Sequence, residues 1–185
     1  MLGCKPLTNS EVESIAAQLS LRDRAIFILG IRTGFRVSEL LSLNVGDVLT
    51  ESGTILECVH VQKRNTKGKT RGRVVPIHEE AKQVLRAYLE SFPAALEAPL
   101  FRSNRGGRTD RFTFDAALKS AALKALGSNE RVATHTMRKT FAARMNAAVD
   151  GNIYKLQKLM GHASISSTAK YIEVNEEEIM NLFKK

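Results

Sequence analysis

The stretch "HTMRKTFAAR", His135 to Arg144, sets the reading of the whole chain. Phe141 and Ala142, continued by Met145, mark the apolar face of a helix that belongs in a core. His135 and Arg138 stand three residues apart, so they are neighbours on one side of that helix, just ahead of the apolar positions. A helix that buries one face has no packing reason to open with an imidazole and a guanidinium on the same side.

The elements around this stretch read as a mainly helical α+β fold, a helical bundle with a small antiparallel β-hairpin on one side. Thr8 followed by Glu11 is a capping-box signal for a helix through about Leu19. Ser20 and Asp23 repeat that signal before the buried run "RAIFILGIR", and Gly34 suits a left-handed stop after it. "RVSELLSL" reads as a short helix with Val37, Leu40 and Leu41 inward. "TILECVHVQ", Thr54 to Gln62, and "RVVPI", Arg73 to Ile77, read as strands joined by the basic turn "KRNTKGKT", with Cys58 a small buried strand residue. Helices follow over about 79–92, 111–126, 136–149 and 152–160, with Gly161 as a stop. Ser164 or Ser166 caps a short helix carrying Tyr171, and Asn175 caps a last one, "EEEIMNLFK".

Among 185 residues, 28 Lys and Arg stand against 19 Asp and Glu, a formal charge of +9, which calls for a polyanionic partner. The excess is concentrated. Lys63, Arg64, Lys67, Lys69, Arg71 and Arg73 form a run without an acid, while Glu173, Glu176, Glu177 and Glu178 make the tail acidic. Two cysteines, Cys4 and Cys58, form neither a disulfide framework nor a CxxC metal pair. No apolar run is long enough to span a bilayer and no signal-peptide pattern opens the sequence. A reducing cytoplasm fits these features.

Six polar residues stand beside helix stops or on otherwise apolar elements: Arg36 after "RTG", a lysine at the hairpin tip, His135, Arg138, His162 directly after Gly161, and Tyr171 nine residues later. Each alone has an ordinary reading. Arg36 pairs with Glu39, His135 bonds nearby backbone, His162 belongs to a loop, and Tyr171 half-fills a core. Together they are the parts of metal-free phosphoryl transfer. Two guanidiniums clamp the non-bridging oxygens of a phosphodiester and stabilise the charge that builds there. A phenol attacks phosphorus and forms a covalent intermediate, while a lysine or histidine protonates the leaving oxygen. A phenol of pKa about 10 needs local positive charge or a base to ionise at neutral pH. Neither a carboxylate cluster of the two-metal nuclease kind nor a Walker-type glycine loop occurs, so the arginines take the place of a metal and no cofactor is expected.

The ordered motifs "TGFRVSELLSLNVGDV", "KGKTRGRVVPI", "HTMRKTFAARM" and "LMGHASISSTAKYIEV" resemble the catalytic domain of the tyrosine recombinases, the phage integrase and Xer-like family. The resemblance runs from "KPLTNSEVESI" to the tail. It implies that Arg36 and Arg138 bind the scissile phosphate and that Tyr171 is the nucleophile, leaving a 3′-phosphotyrosine and a free 5′-hydroxyl. His135 would hydrogen-bond the phosphate and assist proton movement, His162 would be a further phosphate-side donor, and Glu39 would hold Arg36 in place. The hairpin lysine would be the general acid. The family's spacing back from Pro76 lands on Gly68, so Lys67, favoured by its "NTKGK" context, and Lys69 both stay open. On this reading the helix at His135 opens with cations because its positive end faces an anion.

The resemblance further implies double-stranded DNA as partner, four subunits in a synaptic complex with monomers when free, no membrane, and a nucleoid-associated, cytoplasmic setting in a bacterium, an archaeon or under phage coding. Residues 1–185 read as a single catalytic domain without the helical core-binding domain that precedes it in full-length family members, whether excised or naturally minimal. The apolar positions Ile179, Leu182 and Phe183 suit a tail that docks on a neighbouring subunit or on its own domain. Lys63, Arg64, Arg71, Arg73, Arg105, Arg108 and Arg111 are candidate DNA contacts. The expected outcome is site-specific recombination. The alternatives are a topoisomerase IB-like relaxing activity and a non-catalytic DNA-binding module. A plain RNA- or membrane-binding basic domain would explain the charge but not the ordered motifs.

Overall fold

The computed structural model describes residues 3–61, 73–92 and 95–172. The chain divides into two compact units, Met1–Phe141 and Ala142–Lys185. Helix α6, Thr134–Ala148, starts in the first and ends in the second.

The first unit is built on α2, Leu21–Thr33, whose residues Ala25, Ile26, Phe27 and Leu29 are wholly buried. A helix apolar around most of its circumference has to be surrounded. Helix α4, Glu79–Leu89, packs against it, and α1, Asn9–Ala17, packs against α5, Arg111–Leu126. Gly30 lets α2 approach α6 closely, because a Cβ there would lie 2.7 Å from the Met137 sulfur. The ends obey their local signals. Thr8 Oγ1 accepts from the Glu11 N–H at 3.2 Å while the Glu11 carboxylate accepts from the Thr8 N–H at 2.9 Å. Gly34 ends α2 with φ 64°. Helix α3, Val37–Leu41, follows it directly, and Val45–Asp47 makes a single 3₁₀ turn.

Two antiparallel strands, β1 over Cys58–Val61 and β2 over Arg73–Pro76, pair Cys58 with Pro76 and Val61 with Arg73. The first strand is shorter than the expected Thr54–Gln62. Upstream of Cys58 one more bond joins the two segments, from the Ile77 N–H to the Glu57 carbonyl at 2.8 Å, after which Ile55 bridges to Leu49 instead. Cys58 is correspondingly only half-buried, not a core residue. The connecting turn, with Lys63, Arg64, Lys67, Lys69 and Arg71, lies outside the described residues.

In the second unit, α7, Ile153–Met160, turns Leu156 and Met160 inward, and Asn152 Oδ1 caps its start by accepting from the Lys155 N–H at 3.1 Å. Gly161 ends it, and α8, Ile165–Ala169, follows with Ser164 as N-cap residue. Tyr171 is not on that helix as expected. It lies two residues beyond, in a turn closed by its own N–H on the Thr168 carbonyl at 2.9 Å. The helix expected after Asn175, with Ile179, Leu182 and Phe183, lies outside the described residues. Among the described residues no helix is long and apolar enough to cross a membrane.

Candidate active site

The chain leaves α2 through Thr33, Gly34 and Phe35 and arrives at Arg36, the N-cap residue of α3. Glu39, 3 % exposed, holds Arg36 twice: its carboxylate accepts the Arg36 backbone N–H at 2.7 Å and the guanidinium Nη1–H at 3.0 Å. The i, i+3 spacing of a short helix therefore orients Arg36 through one buried carboxylate, which itself needs those donors to be tolerated inside.

Two further arginines grip the same turn by its main chain. Arg138, 1 % exposed on α6, donates from Nη1 to the Gly34 carbonyl. Arg73, at the first position of β2, donates from Nη2 to the Thr33 carbonyl at 3.1 Å, with its guanidinium 5.1 Å from the centre of the Phe35 ring. Carbonyls at a helix C-terminus carry the negative end of the dipole, so they are natural anchors for guanidiniums. Arg73 is pulled down to about 10 by burial, with Arg138 and Arg36 adding to the shift and Glu39 opposing it. It stays charged at neutral pH.

His135 opens α6 with part of its ring in solvent. Burial of the rest lowers its pKa below 6.5, and the charges of Arg138, Lys139, Arg36 and Arg111 lower it further. The first unit thus gathers Arg36, Arg73 and Arg138 at the Thr33–Arg36 turn, with His135 three residues before Arg138 on α6. The start of α6 is not wholly open to an anion, because the Thr134 N–H donates to Asp115 Oδ1 at 3.0 Å. Burial raises the pKa of that carboxyl, but Lys119 and the Thr134 N–H outweigh it and hold the carboxyl below its ordinary value.

A His whose folded pKa lies below its unfolded value takes up protons more readily when unfolded, so stability falls as pH drops below about 6.5 and levels off once the folded ring also protonates. Melting temperature is expected to decline from pH 7.5 towards pH 5, and His135→Asn is expected to flatten part of that slope. An identical slope in the variant would contradict the assignment. A phosphodiester beside the ring is expected to raise its pKa, read from its NMR titration with and without a DNA duplex.

In the second unit, His162 and Tyr171 stand with ring centres 5.4 Å apart. The His162 backbone is held at both ends by Gln157, whose carbonyl accepts the His162 N–H at 3.1 Å and whose Nε2 donates to the His162 carbonyl at 3.1 Å. His162 Nδ1 lies 3.0 Å from Thr168 Oγ1.

Of the candidate DNA contacts, Arg105, Arg108 and Arg111 are exposed. Arg108 is turned to its own fold: Nη1 donates to the carbonyls of Leu41 at 2.9 Å and Leu43 at 2.7 Å, and Nη2 donates to Asn44 Oδ1. It braces the end of α3. Arg73, a candidate DNA contact, sits at the same turn as Arg36 and Arg138. Strand alternation carries the signal, since Arg73 shares a face with Val75 while Val74 points out at 56 % exposure. An arginine at a core-facing strand position has to find anions or carbonyls. Among the described residues no three His, Cys, Asp or Glu side chains gather as a metal site requires.

The sequence profile of the Phage integrase family matches residues 5–178. The chain is 35% identical over 174 residues to tyrosine recombinase XerC of Thermodesulfovibrio yellowstonii, covering 89% of this chain and 54% of that protein. It is 33% identical over 175 residues to tyrosine recombinase XerD of Oceanobacillus iheyensis, covering 90% and 55%. The chain thus spans about half the length of these relatives. Its structure is similar to the crystal structure of XerA recombinase, with a TM-score of 0.74 at 28% identity, over 98% of this chain and 63% of that one. It shares its fold with XerH site-specific recombinase bound to difH substrate, with a TM-score of 0.72 at 20% identity, over 96% and 53%. It also shares it with a lambda integrase dimer bound to a COC′ core site, with a TM-score of 0.69 at 20% identity, over 95% and 52%.

Proposed function

We propose that this chain, which belongs to the phage integrase family, cuts a strand of double-stranded DNA through Tyr171, holds it as a 3′-phosphotyrosine, and passes it to a new 5′-hydroxyl, with site-specific recombination as the outcome. The observation that carries this reading is the arginine cluster: Arg36, Arg73 and Arg138 meet at one turn, with Glu39 orienting Arg36 and His135 three residues before Arg138 on the same helix. Like charges gathered at a site repel one another, and a phosphodiester relieves that repulsion. The relatives named tyrosine recombinases, together with a recombinase and an integrase of the same fold solved on DNA, support the same substrate.

In this scheme Arg36 and Arg138 bind the non-bridging oxygens of the scissile phosphate and stabilise the charge that develops on them. His135 eases the proton from the Tyr171 hydroxyl as its oxygen bonds to phosphorus. The bond from phosphorus to the 5′-oxygen breaks, and that oxygen takes a proton from Lys67, or from Lys69 if the turn runs in the other register. His162 donates to the phosphate. Rejoining is the reverse, with a 5′-hydroxyl attacking the phosphotyrosine. One phosphoester is exchanged for another, so the step conserves bond energy and calls for no ATP. Exposed Arg105 and Arg111, with Lys63, Arg64 and Arg71, contact DNA phosphates that set register without reading sequence. Residues 1–185 act as one catalytic domain, four copies assemble on two duplexes, and the setting is the cytoplasm.

The test is a nicked duplex whose cleavage releases a short fragment and traps the covalent intermediate. A denaturing gel is expected to show a protein–DNA adduct, and Tyr171→Phe is expected to abolish it. An adduct that persists at wild-type level in the variant moves the nucleophile elsewhere. No adduct with any duplex that the protein binds would leave a DNA-binding module in place of an enzyme.

A further inference from the structure

We infer that Thr168 is a positioning residue for His162: its hydroxyl donates to Nδ1 and locks the neutral imidazole as the Nε2–H tautomer, so that the ring meets the scissile phosphate as a donor. The inference rests on the function proposed above for what His162 does, but not for which tautomer it holds.

The geometry is confined to the second unit. Thr168 is wholly buried on α8, and its Oγ1 lies 3.0 Å from His162 Nδ1. Among the described residues that nitrogen is the hydrogen-bond partner found for the hydroxyl. Two arrangements satisfy the distance. If Nδ1–H donated to Oγ1, the hydroxyl proton of Thr168 would be left in the interior without an acceptor, and an unmade buried donor is the costlier arrangement. If the hydroxyl donates, both atoms are satisfied and the ring proton must sit on Nε2. The ring has little freedom to escape this choice. Gln157 ties the His162 main chain on both sides, and the Tyr171 ring stands 5.4 Å away.

The same residue reaches the nucleophile through its backbone. The Thr168 carbonyl accepts the Tyr171 N–H at 2.9 Å. One threonine therefore fixes the proton of the histidine with its side chain and the start of the tyrosine turn with its main chain. Only the first of these is removed by substitution, which makes the two separable.

Two measurements decide the matter. On the full chain labelled with ¹⁵N-histidine, above the titration of the ring, the Nδ1 of His162 is expected to show the shift of an unprotonated, hydrogen-bonded acceptor and Nε2 that of an N–H. A protonated Nδ1 in the wild-type chain overturns the inference. In single-turnover cleavage of the nicked duplex, Thr168→Val keeps the shape and removes the donor, and is expected to slow adduct formation about tenfold with DNA binding unchanged. Thr168→Ser restores the hydroxyl and is expected to stay within about threefold of wild type. Wild-type rates in Thr168→Val, or equal losses in Val and Ser, overturn the inference. If Thr168→Val fails to fold, the wild-type tautomer and the Ser variant still decide it. If the wild-type chain forms no adduct at all, the proposed function fails, while the NMR result continues to report on Thr168 and His162.

Discussion

Arg138→Lys is expected to lower the rate of phosphotyrosine formation by about 10²–10³-fold, although it preserves the formal charge. The reason lies in how Arg138 is held. It is 1 % exposed and anchored through Nη1 to the Gly34 carbonyl. A planar guanidinium can grip a carbonyl with one edge and present further N–H bonds in a fixed plane to a phosphate. A lysine ammonium is a point charge on a flexible stem, strongly hydrated in water, and in this pocket it would lie beside Arg36 and Arg73. Burial and like charges both favour its neutral form, so much of the nominal charge is lost as well. The check is single-turnover cleavage of the nicked duplex at saturating protein. A rate within threefold of wild type would contradict the clamp, and a loss confined to DNA affinity would reduce Arg138 to a binding contact.

The largest expected effect on stability comes from Gly34→Ala. Gly34 holds φ 64°, and a Cβ there would sit 2.7 Å from both Cε1 and Cγ of Phe141. Left-handed backbone costs a non-glycine residue about 1–2 kcal/mol, and overpacking at a buried site costs about 1–3 kcal/mol more. Phe141 is itself 5 % exposed, so its ring has little room to withdraw. The sum, about 2–5 kcal/mol, corresponds to a fall in melting temperature of about 5–15 °C for a chain of this size. Phe141→Leu in the same background is expected to recover the packing part and leave the backbone part, so the double variant should be less destabilised than the two single losses added together. Strict additivity would show that the ring is not what the methyl group meets. Cleavage should fall along with stability, because the displaced carbonyl is the anchor of Arg138.

Much of the fold could be read from residue patterns because its signals are local. The capping box at Thr8, the stop at Gly34 and the bounds of α5 depend on a few adjacent residues, and they hold. The misreadings share a different cause. Thr54–Glu57 has strand-like residues, but Ile55 is bridged to Leu49 rather than to β2. Tyr171 lies beyond α8 because that helix stops after Ala169, with no glycine to announce it. At the site, the pairing of Arg36 with Glu39 is legible as an i, i+3 spacing. The anchors of Arg73 and Arg138 are not, since a carbonyl leaves no mark in a list of side chains. For the same reason the three acceptors of Arg108 on Leu41, Leu43 and Asn44 could not be read from the sequence.

That main-chain grip bears on how such a centre could be redesigned. Every amino acid carries a carbonyl, so no point mutation deletes the hooks at positions 33 and 34; it can only tilt them by changing how the preceding helix unwinds. The hold of Glu39 on Arg36, by contrast, is written in a side chain. Efforts to retune this chemistry by exchange of individual letters would find their leverage there, and would otherwise have to reshape a corner of the chain.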